Sequence, residues 1–374
     1  MGLSEQLRLR PVALAAADRP TVTVVIPCFN YARYLPAAVE SALSQEGVKV
    51  DVVVVDDCSS DDSLAVARAL AEHPDVKVVA HEINQGPSAT FNDGLEFVAG
   101  EFLVRLDADD MLTPGSLARA AALARCHPNV GLVYGNPIHF TDEPAPPSRS
   151  RVRSWTVWPG RHWLADRCRT GVNVITSAEA FMRTSVVNEV GGQEPLPYTH
   201  DMEMWFRMAA FADVARVNGP DQAWHRDHPA SLTERTIDSD LTNLRHRRAA
   251  FGVLFSGPVG SIPEAPALER LAGRAMAREA LRAACHLYDR GRATPELVAP
   301  LTEFAREVAP VEAVSSDWRR LERRAALGPE RVRRRPWYLT GVIRQRLEHR
   351  MNARLYARTG SYGRSLGARN FGKV

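Results

Sequence analysis

Between Thr21 and Tyr134 the chain repeats one pattern, a short apolar run followed by a longer amphipathic one. The runs 21–26, 51–55, 76–80, 101–106 and 130–134 are rich in Val, Ile and Leu, with apolar residues adjacent rather than alternating, as in Val24-Val-Ile26, Val52-Val-Val-Val55 and Phe102-Leu-Val104. Such strands are buried on both faces, unlike strands with one face in water. The intervening segments 32–44, 61–72, 86–98 and 114–126 place apolar residues at helical spacing, as Leu35, Ala38, Val39, Ala42 and Leu43 do. A sheet that must be covered on both sides, alternating with helices that can cover it, predicts an α/β fold with a doubly wound, mostly parallel, Rossmann-like sheet.

Residues 141–150 read as a Pro-rich polar loop, and 151–229 as short elements mixed with aromatics. After Pro229, long Ala-, Leu-, Arg- and Glu-rich segments are broken at Gly257-Pro258, Pro263, Pro266, Gly291, Pro300 and Gly328-Pro329. The expected organisation is a leader over 1–20, an α/β domain over 21–229 and a helical C-terminal region over 230–374. A chain of 374 residues is long enough for two cores. The leader is too weak for a secretory signal, and no window is apolar for long enough to span a bilayer. Five cysteines, an odd number without CxxC spacing, read as reduced thiols in a cytoplasmic protein.

In open α/β sheets, ligands bind beyond the carboxyl ends of the strands. Here those ends read Pro27-Cys-Phe-Asn30, Asp56-Asp-Cys-Ser59 and Asp107-Ala-Asp-Asp110. In an extended backbone Asp107 and Asp109 share one side, and two adjacent carboxylates repel unless a cation joins them. Oxygen ligands of this kind suit a hard divalent metal, Mg2+ or Mn2+, which commonly shares its coordination with substrate phosphates. Three polar strand ends on one rim point to a nucleotide site with a metal.

The ordered set Val24-Val-Ile-Pro-Cys-Phe-Asn30, Val55-Asp-Asp-Cys-Ser59, Asn84-Gln-Gly86, Asn92-Asp-Gly94 and Leu106-Asp-Ala-Asp-Asp110 resembles the motifs of family 2 glycosyltransferases of the GT-A fold. The resemblance covers about Thr21 to Thr233. It implies a nucleotide-sugar donor, a divalent metal and, for most members, inversion at the anomeric carbon. Carried over by residue, it makes Asp57 the reader of the base, with Pro27 and Phe29 lining its pocket and Asn92 among the donor-side residues. Asp107 would bind the ribose and Asp109 the metal, whereas Asp56 and Asp110 are read as turn or cap residues. The chain departs from the family at Thr90-Phe91-Asn92, where Ala-Arg-Asn is common, so a cation expected near the base or phosphate is missing.

Downstream, Tyr198-Thr-His-Asp201-Met-Glu-Met-Trp205-Phe-Arg207 looks like the family's acid pair before an aromatic helix, with His200 in place of Glu. The resemblance makes Asp201 the catalytic base; the alternative is a helix cap. Glu203 is expected to be solvated or paired with Arg207 at i+4. His200 is read as a modulator, an acceptor contact or a polar turn residue. Trp224-His-Arg226-Asp-His228-Pro-Ala-Ser231-Leu-Thr233 resembles a further segment of the family, which implies that Arg226 and His228 touch the diphosphate or complete the metal shell, with His228 the metal candidate and His225 facing elsewhere. Trp155, Trp158 and Trp163 are read as either an acceptor platform or hydrophobic packing.

The net charge of +3 conceals an asymmetry: residues 319–374 hold 16 Lys/Arg and 3 Asp/Glu, and the rest of the chain 31 and 41. Apolar residues from Leu339 to Leu355, interleaved with Arg344, Arg350, Arg354 and Arg358, predict a basic amphipathic tail. That tail is read as packing against the protein or a second copy in a homo-oligomer, or as a peripheral contact with the inner face of a membrane. No nucleic-acid-binding motif accompanies it.

The function expected is metal-dependent, inverting transfer from a nucleotide-sugar, a UDP-sugar in particular, to an acceptor hydroxyl on a glycan, lipid-linked sugar or small molecule. Two alternatives stand beside it. A sugar nucleotidyltransferase would need a Gly-rich, basic loop after the first strand, and Pro27-Cys-Phe-Asn-Tyr31 is not one. A non-catalytic nucleotide-binding scaffold would recruit partners through the basic tail.

Overall fold

The computed structural model describes residues 6–13, 19–141, 143–229, 231, 236–335, 347, 350 and 351. Half of the leader and most of the basic tail, including Arg344, Arg354 and Arg358, lie outside the described residues, as does Thr233.

In chain order the α/β part comprises β1 (Leu7–Leu9), β2 (Thr21–Cys28), α1 (Leu35–Leu43), β3 (Lys49–Asp56), α2 (Ser63–Leu70), β4 (Val76–Ala80), α3 (Pro87–Leu95), β5 (Phe102–Arg105), β6 (Met111–Leu112) and α4 (Ser116–Cys126). It continues through β7 (Val130–Phe140), β8 (Ser154–Trp158), α5 (Gly160–Thr170), β9 (Phe181–Arg183), α6 (Thr184–Val190), α7 (His200–Phe211) and β10 (Asp213–Arg226). The strands form one sheet in the order β1-β8-β10-β7-β9-β5-β2-β3-β4, with β6 beside β10.

The β2–β5 strands and β4 pair in parallel, as the apolar runs require. The sheet is mixed beyond them: β9 inserts antiparallel between β5 and β7, and β8 pairs antiparallel with β10. Strand β2 runs two residues past Ile26, through Pro27 to Cys28. Leu106 N donates to Val25 O, so Pro27, two residues on, turns its missing N–H to the same side. There β5 has already ended, and no ladder bond is lost.

Helix α3 lies close on the sheet because Gly94 permits it: a Cβ there would sit 2.4 Å from Val25 Cγ1. Strand β10 is long and irregular. Its register against β7 shifts between Arg216 and Asp221 and again before Ala223. The bend carries Ala223 and Trp224 onto β6, directly after the Asp107–Asp110 turn.

The C-terminal part is helical, with helices at Asp240–Ser256, Ala265–Asp289, Pro295–Val308, Ser315–Leu327 and Pro329–Arg333. Ala265–Asp289 packs on α5, and Asp240–Ser256 packs on α7. One apolar cluster joins Leu103, Leu132 and Trp163 of the sheet side to Leu268, Ala277 and Trp318 of the helices. The helices therefore share a core with one face of the sheet. No helix among the described residues is long and apolar enough to cross a membrane.

Candidate active site

The polar groups gather beyond the carboxyl ends of β2, β3 and β5. Asp56 caps the first turn beyond β3, accepting from Ser59 N at 3.1 Å. Asn30 ties the two neighbouring strand ends together: its Oδ1 accepts from Ser60 N at 2.8 Å, while its own N–H donates to Ser59 Oγ at 3.0 Å. Its positive φ of 60° belongs to the left-handed region, which Asn tolerates better than most residues.

Asp57 is buried, and its carboxylate is heavily engaged. Oδ1 accepts from Gln85 N at 2.7 Å and lies 2.8 Å from His81 Nδ1, and Oδ2 accepts from Gly86 N at 2.9 Å. Burial works against its charge, but the Gln85, His81 and Gly86 hydrogen bonds outweigh it and hold its carboxyl below the usual range. Asp57 thus organises the Asn84-Gln-Gly86 loop. Beside it Pro27 is half-buried, and Phe29 is exposed at 40%.

Asn92, expected among the donor-side residues, is occupied elsewhere. Its Nδ2 donates to Gln193 O at 2.8 Å and its Oδ1 accepts from Gln193 N at 2.7 Å. Gly192 lies against it so closely that a Cβ would be 2.2 Å from Oδ1. Both ends of the amide are spent on backbone, so Asn92 clamps the segment leading into α7.

The turn after β5 divides its acids. Asp110 is buried; its Oδ1 accepts from Arg226 N at 2.9 Å, and its Oδ2 lies 2.8 Å from His225 Nδ1. It fastens the end of β10 to the turn. His225 therefore faces this cluster, contrary to the expectation that it turns away, because its parallel partner on β7 is His139 and the register fixes its side. Burial opposes the His225 charge, and the carboxylates of Asp110, Asp109 and Asp107 override it, pushing its pKa up to about 10.

Asp109 Oδ2 and His228 Nε2 stand 2.8 Å apart, both nearly enclosed. The His228 ring sits edge-on to Tyr31 and near Tyr34, with centroids 5.9 and 5.7 Å away. Arg226 is buried between Tyr34 and Phe140, 4.6 and 4.5 Å from their centroids. Its Nε donates to Asp109 O at 3.1 Å and its Nη2 pairs with Glu143 at 2.6 Å. Arg226 braces the backbone at Asp109.

Asp107 pairs with a residue that the motif reading passed over. Arg105 Nη2 lies 2.9 Å from Asp107 Oδ1, and Nη1 donates to Ser177 Oγ at 2.8 Å. The guanidinium also lies over the Phe91 ring, 5.9 Å from its centroid. A charged residue inside the apolar run Phe102–Leu106 is the available signal, since a buried cation needs a partner.

Asp201 is the second residue of α7 and completes the group. Its Oδ1 accepts from Met202 N at 2.6 Å, and Asn173 Nδ2 donates to Oδ2 at 3.4 Å. Thr199, not Asp201, holds the N-cap position. Burial pushes the Asp201 pKa up to about 6; the Met202 N–H and Arg105 pull it down, while Asp107 pushes it further up. Arg105 thus acts on both Asp107 and Asp201, which brings the strand-end acids and the α7 acid into one field. His200 is buried, its Nδ1 3.2 Å from Leu196 O; burial and then Arg105 push its pKa down to about 3, so it is neutral.

Glu203 and Arg207 form a buried pair at 2.7 Å, and Arg207 also donates to the carbonyls of Val190, Gly191 and Gly192. The pairing expectation holds, and the solvated one does not. The three tryptophans form no platform. Trp155, Trp158 and Trp163 are 2%, 5% and 2% exposed, the first two on β8 and the third on α5. Packing around Tyr134 accounts for Trp158 and Trp163.

Comparison with known proteins bears on the fold and the family. The family model described as "Glycosyl transferase family 2" matches residues 23–191. Over 100 residues the chain is 43% identical to a succinoglycan biosynthesis protein, ExoO, of Rhizobium meliloti, covering 27% of this chain and 28% of that one. Over 119 residues it is 33% identical to a GalNAc(5)-diNAcBac-PP-undecaprenol beta-1,3-glucosyltransferase of Campylobacter jejuni, covering 31% and 38%. The matches thus span about a third of those relatives' length. In three dimensions the chain is similar to S. aureus TarS 1-349 in complex with UDP-GlcNAc, with a TM-score of 0.59 at 17% identity over 92% of this chain and 93% of that one. That likeness is one of fold: a mixed, mostly parallel GT-A sheet followed by helices.

Proposed function

We propose that this chain, whose residues 23–191 match the glycosyl transferase family 2 model, carries out an inverting transfer of a sugar from a nucleotide-sugar, a UDP-sugar first, to an acceptor hydroxyl. The observation that carries the reading is the convergence of acids at Asp107, which pairs with Arg105 at 2.9 Å and lies close enough to Asp109 and to Asp201 for their charges to interact. Separate acids at helix caps would not converge in this way. The relatives that support it are named for glycan assembly, and TarS for a UDP-GlcNAc complex.

Asp109 and His228 fit a divalent metal. A carboxylate oxygen and an imidazole nitrogen meet at 2.8 Å, a donor pair that suits Mn2+ and leaves positions for phosphate oxygens. When bound, the ion would neutralise the diphosphate as it departs.

The remaining work falls to the chain. Asp107, steadied by Arg105, would take the ribose hydroxyls. The loop held by Asp57, with Pro27 and Phe29, would frame the base. Arg226 would keep the Asp109 backbone in place from behind. Asp201, with a pKa near neutrality, would accept the proton of the acceptor hydroxyl as its oxygen attacks the anomeric carbon.

A thermal-shift panel of UDP-, GDP- and dTDP-sugars, with and without Mn2+, tests the reading. Stabilisation by one base class that grows with Mn2+ is expected, because ligands that bind only the folded state raise Tm. Pyrophosphate release from a sugar phosphate and UTP would instead indicate nucleotidyl transfer.

A further inference from the structure

Behind the Asp109 turn the sheet assembles a second set of metal-binding side chains. His139 on β7 and His225 on β10 are direct partners in a parallel register, so their side chains rise from the same face. Asp227 N donates to Phe140 O at 2.9 Å, extending that ladder by one residue. Asp227, two residues after His225, therefore returns to the same face.

The three donors converge. His139 Nδ1 is 3.2 Å and His225 Nε2 is 3.9 Å from Asp227 Oδ1, and all three ligand atoms lie within 4.8 Å of one another. Tetrahedral bonds of ordinary Zn–N and Zn–O length set neighbouring ligands about 3.4 Å apart. The Asp227 carboxylate thus lies close to that spacing from both imidazoles.

A second observation points the same way. The other nitrogen of His225, Nδ1, lies 2.8 Å from the buried carboxylate of Asp110. A carboxylate behind an imidazole, fixing its tautomer and aiming its free nitrogen, is the usual support of a metal-bound histidine.

We propose that His139, His225 and Asp227 form a Zn2+ site separate from Asp109 and His228. Two imidazoles and one carboxylate, half-buried, leave a fourth position for water. The ion would replace the proton on His225 Nε2 and pin the ends of β7 and β10 together. Since β10 leads directly into His228, that pin fixes the approach to the donor site.

Zn2+ binding to the full-length protein tests this without recourse to activity. The Asp109→Asn variant removes the proposed donor metal ligand, so any remaining site is read alone. Equilibrium dialysis should find one Zn2+ per Asp109→Asn chain, with Co2+ giving visible bands of nitrogen and oxygen ligation. Adding His139→Ala should weaken that binding at least about tenfold. Adding Asp227→Asn, which keeps a hydrogen-bonding group beside His139, should do the same and serves if His139→Ala lowers the metal-free Tm. No Zn2+ uptake by Asp109→Asn, or uptake unchanged by both substitutions, overturns the site. Failure of sugar transfer by the wild-type protein, with Zn2+ uptake by Asp109→Asn intact, would overturn the reading of the donor site instead.

Discussion

Arg105 and Asp107 sit on the same edge of the sheet, two residues apart, with guanidinium and carboxylate 2.9 Å from each other. The alternation of a strand would put them on one face, and the pair lies where β5 gives way to the turn. Arg105 also reaches Ser177 and acts on Asp201. A cation absent from position 91 is thus present on the neighbouring strand, against the Phe91 ring.

Substituting Asp201→Asn should leave donor binding intact and slow transfer by at least ~100-fold, the low end for loss of a general base. Calorimetric titration with a UDP-sugar and single-turnover kinetics separate the two effects. A wild-type rate would leave Asp201 with only its part in starting α7.

The pH profile follows from the raised pKa. A base must be unprotonated, so kcat should climb with pH through about 6, where an unperturbed aspartate would give a limb near 3.8. Arg105 lowers that pKa, and its removal raises it. In Arg105→Met the limb should therefore move to higher pH, costing more rate at pH 6 than at pH 8. An unmoved limb would uncouple Arg105 from Asp201.

Asp109→Asn should abolish stimulation by Mn2+ and cost about 100-fold or more in transfer, comparable to losing one strong stabiliser of developing charge. Chelation of the wild type should mimic it. Full turnover by the variant would remove Asp109 from the metal role.

Arg207→Met strands the buried Glu203 carboxylate and three backbone carbonyls. Breaking a buried pair in this way costs about 3–5 kcal/mol. Chemical denaturation should show the loss, and a midpoint within error of wild type would count against the pair as an anchor.

Trp163→Ala should act through the core. A cavity of that size costs about 3–5 kcal/mol, visible as a lower Tm, while the acceptor KM of the folded fraction stays near wild type. A raised KM with unchanged Tm would restore the platform reading.

The apolar runs were legible because burial on both faces leaves a compositional trace: the parallel strands over 21–28, 49–56, 76–80 and 102–105 follow it closely. The antiparallel insertion of β9 was not legible, since three residues carry no period. The strand-end acids were visible as a rim, but their partners were not. Asn92 and Gln193 meet across 101 residues, and Asp110 and Arg226 across 116, and local spacing holds no record of such pairs. The tryptophans misled for a related reason: β8 is wholly buried because its two faces meet separate apolar clusters, Trp155 in one and Trp158 in the other, a fact of tertiary packing and not of the segment itself.

The apolar cluster that runs from β5 and β7 through α5 into the helix Ala265–Asp289 has a bearing on how such a chain could be re-engineered. The α/β part and the helical part cannot be exchanged like cassettes at the 230 boundary, because the cut would pass through a common interior and leave each half with a greasy wound. A chimera that keeps the sheet, α5 and α7 with their own helices would inherit a sealed body, and the smallest transplantable piece is the one that carries all of them.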